Sequence, residues 1–147
     1  QPLTEALGTN ANDWAVKFSD DCIIALQKTE DGTGFDVFRV AYEDGSSKHL
    51  GTVTGETMNI LNMDGDTLYL EPVQDEFANG IVALNITTGE SQTIMEENPV
   101  LIGTEIQVWN GVCYSAYREL DVMEFGTYDL ETGVETTYRA DDSTVSE

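Results

Sequence analysis

Three turn glycines, Gly45, Gly89 and Gly133, recur at intervals of 44 residues along the chain. Each lies in a short polar run between segments rich in β-branched and aromatic residues. A tight hairpin turn places a residue at positive φ, where glycine avoids the steric strain that other residues incur. A repeat of this length constrains the fold strongly, because it makes the chain a row of copies of one supersecondary unit.

The same spacing extends to apolar positions far from the turns, and no insertion or deletion is required to match them. The matched sets are Val40/Leu84/Tyr128, Tyr42/Ile86/Leu130, Leu50/Ile94/Tyr138, Ile24/Leu68/Val112 and Leu26/Leu70/Tyr114. We therefore expect three equivalent units. The glycines should occupy equivalent turns, and the set that contains Leu50 should occupy equivalent positions of the outer strands.

Each unit divides into four short segments, which in the second unit are residues 57–63, 67–74, 80–86 and 91–96. Turn residues separate segments that alternate or run apolar, as β-strands do. No segment has a sustained apolar period of 3.6 residues, so we expect almost no helix. The sequence predicts an all-β fold of three four-stranded antiparallel blades of the β-propeller type. They form an incomplete ring, with an N-terminal tail at 1–12, blades at 13–56 and 57–100, and a third blade with the C-terminal tail at 101–147.

Two stretches, IVALNITTGE at 81–90 and YDLETGVE at 128–135, resemble the strand–turn–strand signature of bacterial β-propeller repeats. This superfamily includes the TolB-like, quinoprotein-like and low-density-lipoprotein-receptor-like propellers, and the resemblance covers about residues 13 to 141. The chain has no Trp-Asp blade ending, no paired-glycine kelch motif and no Tyr-Trp-Thr-Asp run. The resemblance therefore implies the superfamily and leaves the subfamily unassigned.

Three blades leave two faces without a neighbour. Stacked repeats bury both faces of each unit, and propeller rings close with roughly 4 to 8 blades. Three arrangements would cover the two terminal faces: two chains completing a six-bladed ring, a longer propeller that contains these blades, or a packing of the sheets that is not a ring. We expect a protein partner or a second copy of the chain.

The charge of the chain narrows the choice of partner. The sequence has 28 Asp and Glu residues against 6 Lys and Arg, a net charge of −22. Such a chain is repelled by nucleic acid and by anionic membranes, and no apolar run reaches the roughly 18 residues of a membrane span. Basic proteins and cations fit better, although acidity also simply keeps a secreted β-protein soluble. We expect an extracytoplasmic protein, secreted or attached to the cell surface.

No catalytic or cofactor-binding residue is assigned. The single histidine, His49, accompanies no nucleophile motif and is expected to be a solvated residue at a strand edge. Cys22 and Cys113 lie in different units, so we expect both to be reduced and buried. Trp109 could form an exposed platform for a sugar, but packing between blades is favoured.

No metal site is assigned either. Zinc requires closely spaced His and Cys ligands, which one histidine and two distant cysteines do not supply. Oxygen-bearing side chains alternate at Asn62, Asp64 and Asp66, but the glycine position and flanking helices of a calcium-binding EF-hand are missing. A hairpin turn explains these residues.

The innermost strands, expected near residues 14–18 and 57–62, are mostly apolar, with Lys17 and Asn62 among the exceptions. An enzyme with its site in a central channel would direct at least two converging polar groups from these strands. The sequence therefore favours a non-enzymatic binding or scaffolding module. The alternative is a domain of a propeller hydrolase that acts on glycans or peptides.

The loops between second and third strands should share one rim with the connections between blades. These loops are acidic, with apolar residues among the carboxylates, which suits a basic partner surface or divalent cations. Acidic loops are also what any chain of this charge would have. The residues predicted to bind a partner are Glu30, Asp31, Asp75, Glu76, Phe77, Glu119 and Asp121.

Overall fold

A computed structural model describes residues 14–74, 77–78, 80–95, 105–119 and 122–141. The predicted tail at 1–12 lies outside these residues. The described residues form thirteen β-strands and no helix, so none of them belongs to a helix long and apolar enough to cross a membrane. The strands are β1 (Trp14–Phe18), β2 (Cys22–Lys28), β3 (Gly34–Ala41), β4 (Ser47–Thr54), β5 (Thr57–Asp64), β6 (Thr67–Gln74), β7 (Phe77–Ala78), β8 (Ile81–Asn85), β9 (Ser91–Met95), β10 (Glu105–Trp109), β11 (Val112–Glu119), β12 (Val122–Asp129) and β13 (Glu135–Asp141).

The strands form three antiparallel sheets of consecutive strands. Blade 1 has the order β1-β2-β3-β4, blade 2 the order β5-β6-β8-β9 and blade 3 the order β10-β11-β12-β13. Within the described residues the three sheets form an open array and not a closed ring, which confirms the predicted fold class. The short strand β7, which pairs with β6 through Val73 and Ala78, was predicted as loop. Two residues are too few to show an alternating pattern in the sequence.

The three turn glycines adopt equivalent conformations, as predicted. Their φ angles are 71° at Gly45, 83° at Gly89 and 75° at Gly133. Each glycine N–H donates to the carbonyl of the residue four positions earlier, at 2.9, 2.8 and 2.8 Å respectively. The 44-residue period therefore holds at the turn between the third and fourth strands of each blade.

The second strands follow a different spacing. They begin at Cys22, Thr67 and Val112, 45 residues apart, yet these residues pair with third-strand positions that are 44 apart. In blade 2 the extra residue forms a β-bulge between Ile60 and Asn62. The expectation of three units without insertion is therefore wrong for this part of the repeat.

The shift changes which second-strand residues correspond. By strand pairing, the counterparts of Ile24 are Tyr69 and Tyr114, and not Leu68 and Val112 as the 44-residue match predicts. Successive side chains of a strand point to opposite faces, so an offset of one residue moves the match to the other face.

Two apolar cores lie between consecutive blades. We call the face of a blade that points toward the following blade or away from the preceding one its trailing face, and the opposite face its leading face. The first core joins the trailing face of blade 1 to the leading face of blade 2: Cys22, Ile24, Leu26, Phe35, Val37, Leu50 and Val53 against Met58, Leu68, Leu70, Val82, Leu84 and Ile86. The second core joins the trailing face of blade 2 to the leading face of blade 3: Tyr69, Ile81 and Met95 against Ile106, Val108 and Cys113. Each fully buried Leu, Ile or Val contributes about 1.5–3 kcal/mol to stability.

Both cysteines are free and buried, as predicted. Cys22 lies in the core between blades 1 and 2, and Cys113 in the core between blades 2 and 3. Burial raises the pKa of the Cys113 thiol to about 11, and the nearby Glu71 carboxylate adds to the shift. The Cys113 thiol is therefore protonated at neutral pH.

Candidate binding surfaces

The trailing face of blade 3 carries four exposed aromatic side chains. Strand pairing places Ala116, Phe125 and Tyr138 in one row across the sheet, and Gln107 and Tyr114 in the next row. The exposed fractions are 40% for Trp109, 47% for Tyr114, 42% for Phe125 and 60% for Tyr138. This is a contiguous aromatic surface on a solvent-facing sheet, a feature that marks interaction sites.

The repeat explains this surface. Phe125 occupies the position of Val37 and Ile81, and both of those residues are buried. Tyr114 likewise corresponds to Ile24 and Tyr69, which are buried in blades 1 and 2. The same repeat position is therefore covered wherever a blade follows and exposed in blade 3.

The fourth strands show the same trend with one difference in register. Leu50 and Ile94 lie at β-bulges, where β4 and β9 each carry one residue more than the strand they pair with. Tyr138 lies on the corresponding strand β13 but pairs regularly with Phe125. Leu50 is buried and Ile94 is half-buried, whereas Tyr138 is exposed.

The leading face of blade 1 is the other terminal face of the array. Ala25 and Val40 are buried there, and Ile23 and Phe38 pack partly buried against them. Phe18 lies on the same face, because it pairs with Ile23, and is 67% exposed. This face is therefore apolar around Ala25 and Val40.

His49 lies on the outermost strand of blade 1 and is exposed, as predicted. Its Nε2 atom is 3.0 Å from Asp36 Oδ1, and its ring lies 5.2 Å from the ring of Phe38. The hydroxyl of Thr52 donates to the same Asp36 oxygen at 2.6 Å and not to the histidine. This pairing stabilises the strand edge, but it does not aim a hydroxyl at the histidine as a catalytic triad requires.

The loop rim of the array is the end that carries the β2–β3 loop (29–33) and the connection between blades 1 and 2 (55–56). The amide of Gly55 donates to the carbonyl of Thr33 at 3.0 Å, and the amide of Glu56 to that of Val73 at 2.9 Å. Gln74 Nε2 donates to the Glu56 carboxylate at 2.7 Å. The loop and the connection thus share one rim, as the sequence predicts.

Asp31 has a structural part in this rim. Its Oδ1 atom accepts hydrogen bonds from the Thr29 hydroxyl at 2.7 Å and from the Thr33 amide and hydroxyl at 3.1 and 2.8 Å. These bonds, led by the one from Thr29, hold the pKa of Asp31 below its usual value. Beside it, Glu30 is exposed at an open depression of about 470 Å³.

Of the residues predicted to bind a partner, the structure brings Glu30 and Asp31 together. Asp75, Glu76 and Asp121 lie outside the described residues. Phe77 lies in β7 and Glu119 lies in β11, and the structure describes the backbone of these two residues. The binding role of this set therefore stays a prediction.

The segment from Asn62 to Asp66 contains the end of β5 and the hairpin turn that the sequence predicts. Side chains of this segment connect blade 2 to blade 3. Asn62 exchanges two hydrogen bonds of 2.8 Å with the backbone of Val108, and Asp64 Oδ2 accepts from the Asn110 amide at 2.9 Å. Within the described ranges no group of three or more His, Cys, Asp and Glu side chains could hold a metal ion. The sequence missed this connection, because the bonded residues are 46 positions apart.

The expectation that Trp109 packs between blades is wrong. Trp109 lies at the end of β10 on the trailing face of blade 3, and its indole N–H donates to Gln107 Oε1 at 2.8 Å. It is 40% exposed.

Comparison with models of known protein families gives no match, and comparison with curated proteins gives none either. The blades are therefore interpreted from their own residues.

Proposed function

We propose that this chain is a non-enzymatic binding or scaffolding module of the bacterial β-propeller superfamily. It acts outside the cytoplasm and binds a basic protein surface at its loop rim. The observation that carries the proposal is the open depression lined by Thr29, Glu30, Asp31, Thr33 and Thr52, on a loop whose Thr33 carbonyl accepts a hydrogen bond from Gly55 of the 55–56 connection. Asp31 fixes the shape of the loop, and Glu30 extends into solvent beside it.

The charge of the chain supports a basic partner. A net charge of −22 attracts cationic surfaces over long range and raises their rate of encounter. Loops held by a rigid sheet are also where proteins most often bind partners. The four-stranded sheets and the 44-residue repeat support membership of the propeller superfamily.

The hydrolase alternative is less well supported. Among the polar residues on the expected innermost strands, Asn62 has both atoms of its amide bound to the Val108 backbone. Its amide is therefore committed to holding blades together and does not face a substrate. The pairing of His49 with Asp36 lies on an outermost strand, away from the innermost strands of the blades.

The test is binding of a lysine-rich peptide with interspersed leucines, measured by fluorescence anisotropy across a range of salt concentrations. A variant with Glu30→Lys and Glu56→Lys should bind at least about tenfold more weakly and with a smaller salt dependence. The matched control is Glu43→Lys with Glu131→Lys, which makes the same charge change at exposed turns on the opposite rim. Equal losses in both variants would show that the peptide responds to bulk charge, and would contradict a site at the loop rim.

A second variant addresses the other predicted residues. Reversing the charges of Asp75, Glu76, Glu119 and Asp121 should weaken peptide binding further, because the sequence places all four in loops of the same rim or beside them. Binding that keeps its affinity and its salt dependence in this variant would place the site elsewhere.

A further inference from the structure

We propose that the trailing face of blade 3 docks onto the leading face of blade 1 of a second copy of this chain. Two such contacts, related by a twofold axis, would close a six-bladed ring from two chains. This proposal concerns different surfaces from the loop rim, so either proposal can fail without the other.

The first argument is continuity with the contacts inside the chain. In both interfaces between blades, a trailing face packs against the leading face of the next blade. Tyr114 and Phe125 occupy the repeat positions that these interfaces cover in blades 1 and 2, and Tyr138 pairs with Phe125 beside them. A surface built on the same repeat is suited to the same kind of partner, which is another leading face.

The second argument is the position of Gln107. Gln107 pairs with Tyr114 as Asn62 pairs with Tyr69, so it is the blade 3 counterpart of the residue that connects blade 2 to blade 3. Asn62 bonds to the backbone of Val108. The counterpart of Val108 in blade 1 is Phe18, because Val108 pairs with Cys113 as Phe18 pairs with Ile23. In the proposed dimer, Gln107 would face the β1 edge of the other copy.

The third argument is chemical. The leading face of blade 1 offers apolar residues, with Ile23 and Phe38 partly buried and Phe18 exposed. The trailing face of blade 3 offers four exposed aromatic side chains. Rings of six blades lie within the range of roughly 4 to 8 that propellers adopt, and a twofold arrangement closes without leaving either face bare.

Self-association predicts a salt dependence opposite to that of a basic partner. Two chains of charge −22 repel each other, so added salt should strengthen an apolar contact between them. Binding of a cationic peptide at the loop rim should instead weaken as salt is added. The direction of the salt effect therefore separates the two proposals.

The experiment is sedimentation velocity of the whole chain from about 1 to 200 μM at low and high salt, where association depends on concentration. The wild type should form a species of twice the monomer mass, favoured by salt. Tyr138→Arg should weaken this association by about a hundredfold, because the interface would bury an unpaired charge. The matched control is Val134→Arg, because Val134 and Tyr138 are both 60% exposed but Val134 lies in a turn away from the sheet face.

Folding and direction of docking are checked separately. Tyr138 is exposed, so its replacement should leave the circular dichroism spectrum and the Tm of the monomer unchanged, and Tyr114→Arg serves as an independent second variant. Phe18→Arg should abolish the dimer as Tyr138→Arg does. A wild type that is monomeric at the highest concentration would overturn the proposal. Dimers formed by the Tyr138→Arg or Tyr114→Arg variant would also overturn it. A Phe18→Arg variant that still dimerises would overturn it too, because that result would indicate contact between two trailing faces.

Discussion

The side chain of Asn62 in blade 2 pairs with the backbone of Val108 in blade 3 as a neighbouring strand would. Its Nδ2 donates to the Val108 carbonyl and its Oδ1 accepts from the Val108 amide, both at 2.8 Å. Both residues are buried, so water cannot replace either bond. A single amide side chain thus satisfies two backbone groups at the edge where the first strands of blades 2 and 3 meet.

Replacing Asn62 by Leu should destabilise the protein by about 2–4 kcal/mol, because it leaves a buried donor and a buried acceptor unpaired. The control is Gln107→Ala at the corresponding exposed position of blade 3, which should change stability by less than about 0.5 kcal/mol in dilute solution. Chemical denaturation monitored by circular dichroism measures both. Similar losses in the two variants would show that the Val108 pairing contributes little.

The close approach of Gly89 to blade 1 gives a second prediction. A Cβ atom at Gly89 would lie 2.6 Å from the carbonyl oxygen of Leu50, whereas one at Gly133 would meet nothing nearer than the Tyr128 hydroxyl at 3.7 Å. Both glycines have positive φ, which costs alanine about 1–2 kcal/mol. Gly89→Ala should therefore lower the free energy of unfolding by at least about 1 kcal/mol more than Gly133→Ala. Equal losses would mean that the blade contact adjusts without cost.

The two buried cysteines can report the opening of each interface. Cys22→Ala leaves Cys113 between blades 2 and 3, and Cys113→Ala leaves Cys22 between blades 1 and 2. The native thiols should react with a thiol reagent at least about a thousandfold more slowly than the unfolded ones, since labelling requires local opening. Cys113 should become reactive at lower denaturant than Cys22, because among the described residues the second core contains fewer buried side chains than the first.

Each cysteine variant is the control for the other, and in full denaturant both should react at the same rate. Reaction of Cys22 at the lower denaturant concentration would reverse the proposed order of interface strength.

The sequence predicts the architecture well because its signals are local. Positive φ at Gly45, Gly89 and Gly133 and the alternation of apolar residues lead to the hairpins directly. The bulge at residues 60–62 is not visible in the same way, because the extra residue disturbs neither the turn signals nor the apolar content. The role of Asn62 and the partnership of His49 with Asp36 depend on residues that only the folded sheets bring together.

The exposed surface of blade 3 could be predicted from the sequence only in part. The repeat count alone predicts that a terminal face is bare. Which side chains lie on that face depends on the register of the second strand, and the 44-residue match assigns the counterparts of Ile24 to the wrong face. Pairing between strands resolves the assignment because directly opposed residues share a face.

The last prediction concerns the stability of the final turn at acid pH. Asp129 Oδ1 accepts hydrogen bonds from the amides of Glu131 and Thr132 at 2.9 and 3.0 Å, and these bonds, led by the one from Thr132, hold the pKa of Asp129 below 3.8. A carboxylate with a depressed pKa stabilises the folded state above its unfolded pKa. That contribution is lost as the pH falls through the folded value.

At the corresponding position of blade 2, Asn85 Oδ1 accepts the same two bonds, at 2.8 and 2.9 Å, without a charge. Asp129→Asn should therefore preserve the turn while removing its pH dependence. The control is Glu131→Gln, which removes the same charge from an exposed side chain. In urea denaturation at neutral pH, Asp129→Asn should be the less stable of the two variants. The difference should shrink as the pH falls below 3.8 and through the lowered pKa of Asp129. A difference that stays constant over this range would show that the Asp129 charge adds nothing to the turn.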